Sequence, residues 1–164
     1  KSVQIKGLLK LKPIENCVVA YSLVPDEIAR SVEHGAPRIK QRLSAIKRLA
    51  REGWRIGLRF DPLIYHSNFE ENYRELFAAV FEAVEPEQVH SISFGPMRFP
   101  KAMFDTITKL YPREKLFAGP MEKRGAMVSY EDQIEKKMMD FCRDELERYV
   151  PQALVFTCMQ ESEI

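Results

Sequence analysis

The chain has 164 residues, 45% of them hydrophobic, with 25 basic and 24 acidic side chains for a net charge of +1. This length suits one domain that buries roughly two-thirds of its unfolded surface, and the charge balance excludes any global attraction to nucleic acid or membrane. No apolar run reaches the roughly 18 residues that a membrane-crossing helix needs.

The sequence begins at Lys1, with no initiator methionine and no signal peptide. It is read as a single domain over residues 1–164 that is a fragment of a longer protein. Residues 2–11 place apolar side chains around Gly7, fitting a short helix or irregular segment ended by Pro13. Asn16–Asp26 runs Val-Val-Ala-Tyr into Ser22 and then Pro25-Asp26. Near-continuous apolar character is what a parallel strand covered on both faces needs, and such strands keep ligands at their carboxyl ends. Pro25 and Asp26 open a helix that Gly35 ends. The next helix runs from Pro37 to Gly53, with Ile39, Leu43, Ile46 and Ala50 at helical spacing. Its other face carries Arg38, Lys40, Arg42, Lys47, Arg48 and Arg51 and reads as a solvated surface, because no aromatic residue interleaves the charges.

Arg55–Phe60 is the second strand, with Ile56, Leu58 and Phe60 on one face and Arg55, Gly57 and Arg59 on the other, ended by Asp61-Pro62. A loop with Tyr65 and His66 precedes a helix over Phe69–Val84, and Val89–Phe94 is the third strand. Gly95–Pro100 leads into a helix through Met103, Ile107 and Leu110. Tyr111–Tyr130 reads as irregular. A last helix follows, opened by the capping-box spacing Ser129-x-x-Asp132, then a short strand over Ala153–Cys158 and a frayed tail at Glu161–Ile164. Strand starts near 17, 55 and 89 are separated by about one βα unit, so the fold class is α/β, with parallel βα repeats. That arrangement is barrel-like or doubly wound.

Gly-rich phosphate loops, nucleophile elbows and His-Glu-x-x-His helices are absent from the sequence. Cys17, Cys142 and Cys158 show neither Cys-x-x-Cys nor zinc spacing, and read as reduced, mostly buried thiols of a cytosolic protein. The functional candidates are polar residues at strand carboxyl ends: Ser22, Asp61 with Tyr65 and His66 just beyond, and Arg98, whose Gly-Pro-flanked guanidinium suits a carboxylate or phosphate. His34 and His90 are given no role.

An ordered set of segments carries a resemblance. Lys1, Tyr21-Ser22-Leu23-Val24-Pro25-Asp26, the helix Pro37–Gly53 with its Arg-Glu-Gly-Trp ending, Asp61-Pro62-Leu63-Ile64-Tyr65-His66, Tyr73-Arg74-x-Leu76-Phe77 and Arg98-Phe99 together resemble the second half of spore photoproduct lyase. That family belongs to the radical S-adenosylmethionine enzymes and repairs a thymine-dimer lesion in DNA, so the resemblance implies the carboxyl half of an open, partial TIM-type barrel. The resemblance implies that Lys1 contacts the methionine carboxylate end of S-adenosylmethionine, Ser22 its sugar or amino-acid part, and Asp61 the same pocket, where the family has a small apolar residue. Tyr65, His66 and Arg98, at the same strand ends, are the candidate substrate contacts. Lys123 and Arg124 lie in segment 121–130, which stands where the family carries a longer basic and aromatic hairpin that probes DNA. The catalytic residues and the cysteines of a [4Fe–4S] cluster are expected before Lys1, in the amino-terminal half of the same protein. Two other readings stand beside this one: a radical S-adenosylmethionine enzyme with a non-DNA substrate, and a non-catalytic α/β binding domain.

Overall fold

The computed structural model describes residues 1–117 and 119–158. Strands β1 (Val18–Ser22), β2 (Arg55–Leu63), β3 (Val89–Pro96) and β7 (Val155–Thr157) form a parallel sheet in the order β1-β2-β3-β7. Helices α1 (Asp26–Val32) and α2 (Ile39–Arg51) connect β1 to β2, and α3 (Phe69–Phe81) connects β2 to β3. Each connection is long enough to return the chain to the amino end of the sheet, as parallel pairing requires. The expected α/β class with parallel βα repeats and the partial-barrel architecture are therefore present.

Alternation along the strands separates two unlike faces. Tyr21, Ile56, Leu58, Phe60, Ile92 and Phe94 are buried in the apolar core. Phe60 of β2 meets Phe77 of α3 edge-on, with ring centroids 4.9 Å apart. Helix α2 buries Ile39, Ala45, Ile46, Leu49 and Ala50, and α5 (Asp132–Leu146) buries Met138, Met139, Cys142 and Leu146. Beyond α5, Tyr149 stacks on Phe81 with ring centroids 4.3 Å apart.

The segment read as irregular between Tyr111 and Tyr130 contains a hairpin instead. Strands β5 (Met121–Arg124) and β6 (Met127–Tyr130) pair antiparallel, and β6 also pairs with the short β4 (Phe99–Pro100), after which α4 (Lys101–Leu110) follows. Gly125, at φ +56°, takes the first position of the two-residue turn, where a residue without a Cβ adopts positive φ at no steric cost. The capping-box reading also fails. Glu131 is the N-cap of α5, while Ser129 lies in β6, its hydroxyl 3.1 Å from the Met97 carbonyl and 2.7 Å from the Glu135 carboxylate. Tertiary partners thus took the hydroxyl that local spacing assigned to the helix end. The third departure is the length of β2, which continues through Asp61 and Pro62 to Leu63. Of the thiols, Cys142 is buried, Cys17 partly so, and Cys158 exposed. The tail Glu161–Ile164 lies outside the described residues.

Because Phe77 is fully buried against Phe60 and Tyr73, Phe77→Ala is expected to lower unfolding free energy by about 3–5 kcal/mol. Urea unfolding should show a lower midpoint at unchanged slope; a loss below about 1 kcal/mol would mean that the α3–sheet contact is not a main element of the core.

Candidate functional site at the strand carboxyl ends

The second face of the parallel sheet is small and polar. Register sets Ala20 beside Gly57 and Gly57 beside Ser91, then Ser22 beside Arg59 and Arg59 beside Ser93. Asp61 and Gly95 continue the alternation toward the carboxyl ends. Ala20 is exposed although it lies within a strand, so this face is open at β1.

At the carboxyl ends of β2 and β3, Asp61 accepts hydrogen bonds at Oδ2 from the Ser93 hydroxyl at 2.6 Å and the Cys158 thiol at 3.2 Å. Its Oδ1 is buried without a protein partner. Burial and the neighbouring Asp61 carboxylate both raise the Cys158 thiol above its ordinary pKa, so the sulfur keeps its proton at neutral pH. Arg98 donates to the Cys158 carbonyl. These groups border a cleft of about 410 Å³ that is otherwise apolar, with Pro62, Ile64, Met97, Phe99 and Leu116 in its walls.

The loop after β2 is pinned by two phenols. The Ile64 amide donates to Tyr73 Oη at 3.0 Å, and the Tyr65 amide to Tyr130 Oη at 3.0 Å. Burial pushes the Tyr73 hydroxyl well above its ordinary pKa and that of Tyr130 up to about 12, so both remain neutral. His66 Nδ1 lies 2.9 Å from the Ile64 carbonyl, which can only accept, so that nitrogen carries the proton. Nε2 then accepts from the Asn72 amide at 2.9 Å. Tyr65 and His66 open onto a second cleft, of about 530 Å³, between this loop and α5, whose other wall includes Gln133, Lys137 and Met138.

Lys1 and Ser22 meet a single buried ion pair. Arg42 is fully buried. Its Nε donates to the Pro37 carbonyl and its Nη1 to the Ser22 carbonyl, each at 3.0 Å, and Nη2 pairs with Glu33. The other Glu33 oxygen accepts from Lys1 Nζ at 2.5 Å. Burial pushes the Glu33 carboxyl up, but the hydrogen bonds from Arg42 and Lys1 outweigh it and leave the group below its ordinary value. The trio carries one net positive charge. The remaining candidates lie on the hairpin. Lys123 pairs with the exposed Asp105 at 2.8 Å. Arg124 is committed to Asp132, to Glu135 at 2.5 Å and to the Tyr130 carbonyl at 2.9 Å.

The model for the family described as spore photoproduct lyase matches residues 1–157. The chain belongs to the spore photoproduct lyase family. The Bacillus subtilis (strain 168) spore photoproduct lyase is 31% identical over 98 residues, covering 58% of this chain and 29% of that protein. The Geobacillus sp. (strain Y412MC61) spore photoproduct lyase is 26% identical over 133 residues, covering 75% of this chain and 39% of its own length. A solved spore photoproduct lyase variant with bound AdoMet and dinucleoside spore photoproduct superposes with a TM-score of 0.74 at 21% identity, over 94% of this chain and 48% of that one. Another structure, complexed with dinucleoside spore photoproduct, has the same values. The chain thus spans less than half the length of the relatives it matches.

Within this member of the spore photoproduct lyase family, Asp61 and Arg98 border one cleft, Tyr65 and His66 another, and Lys1 and Ser22 a third locus joined by Arg42. Lys123 and Arg124 stand apart on the hairpin. Ser93, Glu33 and Arg59 were not singled out from sequence, Cys158 was read only as a reduced thiol, and Arg42, read as part of a solvated basic face, is instead fully buried against Glu33. Only the alternation within β2 and β3, which sets Gly57, Arg59, Ser91 and Ser93 on one face, carried a signal for any of them.

Two outcomes are expected. Tyr73→Phe leaves the buried Ile64 amide without an acceptor and costs about 1–3 kcal/mol, whereas Tyr130→Phe, at the more exposed Tyr65, costs less; equal losses in chemical denaturation would contradict this. Glu33 has a depressed pKa in the folded state, so its contribution is full above its unfolded value and fades as pH falls through the folded one. The stability difference between the natural protein and Glu33→Gln should therefore shrink on acidification below pH 4.5. A difference that stayed constant down to pH 3 would show that the pair does not stabilise the fold.

Proposed function

We propose that the chain is the carboxyl-side part, residues 1–164, of a cytoplasmic radical S-adenosylmethionine enzyme of the spore photoproduct lyase type, which repairs thymine-dimer lesions in DNA. The observation that carries this reading is the polar face of the parallel sheet, open at β1, whose carboxyl ends hold Ser22, Asp61 and Arg98, in a chain of that family.

The donor set fits the cofactor. The Lys1–Glu33–Arg42 trio has net charge +1, which complements one carboxylate, and the Ser22 hydroxyl has no protein partner among the described residues. In this reading Lys1 holds the methionine carboxylate, Ser22 the amino-acid or sugar part, and Asp61 lines the same pocket. S-adenosylmethionine, when bound, supplies the chemistry that abstracts a hydrogen atom from the substrate. The protein's own contribution is to orient the reactants and exclude water. Tyr65 and His66 are fixed by the Tyr130 and Ile64 hydrogen bonds, and Arg98 stands at the mouth of the Asp61 cleft to meet a substrate anion. The three cysteines do not fit a [4Fe–4S] cluster. Cys17 precedes β1, Cys142 lies within α5 and Cys158 follows β7, and among the described residues no group of three His, Cys, Asp or Glu could hold a metal ion. The cluster ligands and catalytic residues are assigned to the amino-terminal half, the partner in this architecture.

A second reading, the same chemistry on a non-DNA substrate, is favoured by Asp61 alone, a carboxylate where the resemblance implies a small apolar residue. DNA contact rests on the hairpin. Lys123 is half-exposed and can exchange Asp105 for a phosphate, while Arg124, held by Glu135 and Asp132, shapes the hairpin.

In the protein expressed from its whole reading frame, Lys1→Ala and Ser22→Ala are expected to weaken S-adenosylmethionine binding with the fold intact. A hydrogen bond to a charged group contributes about 1.5–3 kcal/mol and a neutral one about 0.5–1.5, so Lys1 is the costlier loss. Unchanged calorimetric affinity in both variants would contradict the cofactor assignment. Binding of duplex DNA carrying a thymine lesion should lose about one unit of salt slope in Lys123→Ala. No binding at low salt in the unaltered protein would favour the non-DNA reading.

A further inference from the structure

Arg59 lies on the polar face of the sheet, beside Ser22 of β1 and Ser93 of β3. Its guanidinium is half satisfied. Nη1 donates to the carbonyls of Leu58 and Ser91, both at 3.1 Å, and Nη2 donates to the Ser91 hydroxyl at 2.9 Å. A guanidinium has five N–H donors. The two left over are Nε–H and the second Nη2 hydrogen, which lie parallel along one edge and form the fork that grips a carboxylate or phosphate through two hydrogen bonds. Among the described residues no Asp or Glu forms an ion pair with Arg59. Arg42, by contrast, has a buried carboxylate against its own guanidinium.

The surroundings are built for this side chain. A Cβ at Gly57 would stand 3.0 Å from Arg59 Nη2, 3.1 Å from the Ala20 Cβ and 3.2 Å from a Val18 methyl. Glycine at 57 is what lets the guanidinium lie flat on the sheet. Ser91 is nearly fully buried and fixes the opposite edge. The cation is thus pre-oriented and half-buried, with the Ser22 hydroxyl in the neighbouring strand. The nearest carboxylate on this face by register, Asp61, has its Oδ2 occupied by Ser93 and Cys158.

We propose that Arg59 is an oxyanion-binding residue of this site, gripping a carboxylate or phosphate of a bound small molecule through its Nε–Nη2 edge. The proposal rests on the functional reading above. Two ligands of that reading carry such a group: the cofactor, through its methionine carboxylate, and the lesion, through the phosphodiester between its two nucleosides.

The test uses the protein from its whole reading frame, with calorimetric titration of S-adenosylmethionine, and of spore photoproduct as dinucleotide and as dinucleoside. Arg59→Lys keeps the charge and removes the fork. It should weaken one of the two ligands at least tenfold, with the melting temperature little changed. The loss should vanish when that ligand's oxyanion is removed, by using the cofactor's methyl ester or the dinucleoside. Gly57→Ala, which displaces the guanidinium, should reproduce the effect on the same ligand. Unchanged affinity for both ligands in a folded Arg59→Lys protein would overturn the proposal, as would a tenfold loss that persists without the oxyanion. If the variant does not fold, Arg59→Gln titrated with the same ligands gives the same comparison. If the unaltered protein binds neither ligand, the reading beneath fails and takes this one with it.

Discussion

Strand β2 has no free edge. Its backbone is hydrogen-bonded to β1 on one side and β3 on the other over most of its length, so every residue in it is committed to one face or the other. One face must be apolar, because α3 and the rest of the core pack there, and Ile56, Leu58 and Phe60 are fully buried. The other is then free to be small and polar, and Gly57, Arg59 and Asp61 occupy it. A one-residue slip would exchange the two sets, burying an arginine and a carboxylate in the core at a cost the fold could not meet. The alignment of Ser22, Arg59 and Ser93 across three strands follows from that single constraint.

Helices α1 and α2 answer a second requirement, that the turn after β1 hold a fixed shape. Arg42 meets it by drawing Pro37, Ser22 and Glu33 onto one guanidinium. A buried ion pair is weak support for stability in general, since desolvation offsets much of the attraction. Here the carboxylate also holds Lys1, so the pair joins two chain segments that periodicity alone would never connect. The Arg124–Glu135 contact does the same for the hairpin and α5, with the Glu135 carboxylate also lying beside the Ser129 hydroxyl.

Features that depend on near neighbours were legible in the sequence. The starts of β1, β2 and β3, and α2 between its two turns, emerge from apolar spacing and from proline and glycine. The hairpin was not, because Met121–Arg124 and Met127–Tyr130 are four residues each and mix charge with apolar groups. The Gly125-Ala126 turn was its one readable mark. Ser129 was misassigned because a capping spacing carries no information about Met97, 32 residues away. The same limit hid Cys158, which reaches Asp61 across 97 residues. Asp61 itself was found because Asp-Pro after an apolar run is a local signal, although the strand runs on to Leu63. What it binds is not one.

The cofactor site proposed at the carboxyl ends of the parallel strands can be tested without any substitution, by hydrogen exchange on the protein from its whole reading frame with and without S-adenosylmethionine. Binding there should slow amide exchange in residues 22–26 and 61–66, at the ends of β1 and β2, and change α4 little. Protection confined to α4 and the hairpin, with the strand ends unchanged, would place the cofactor elsewhere.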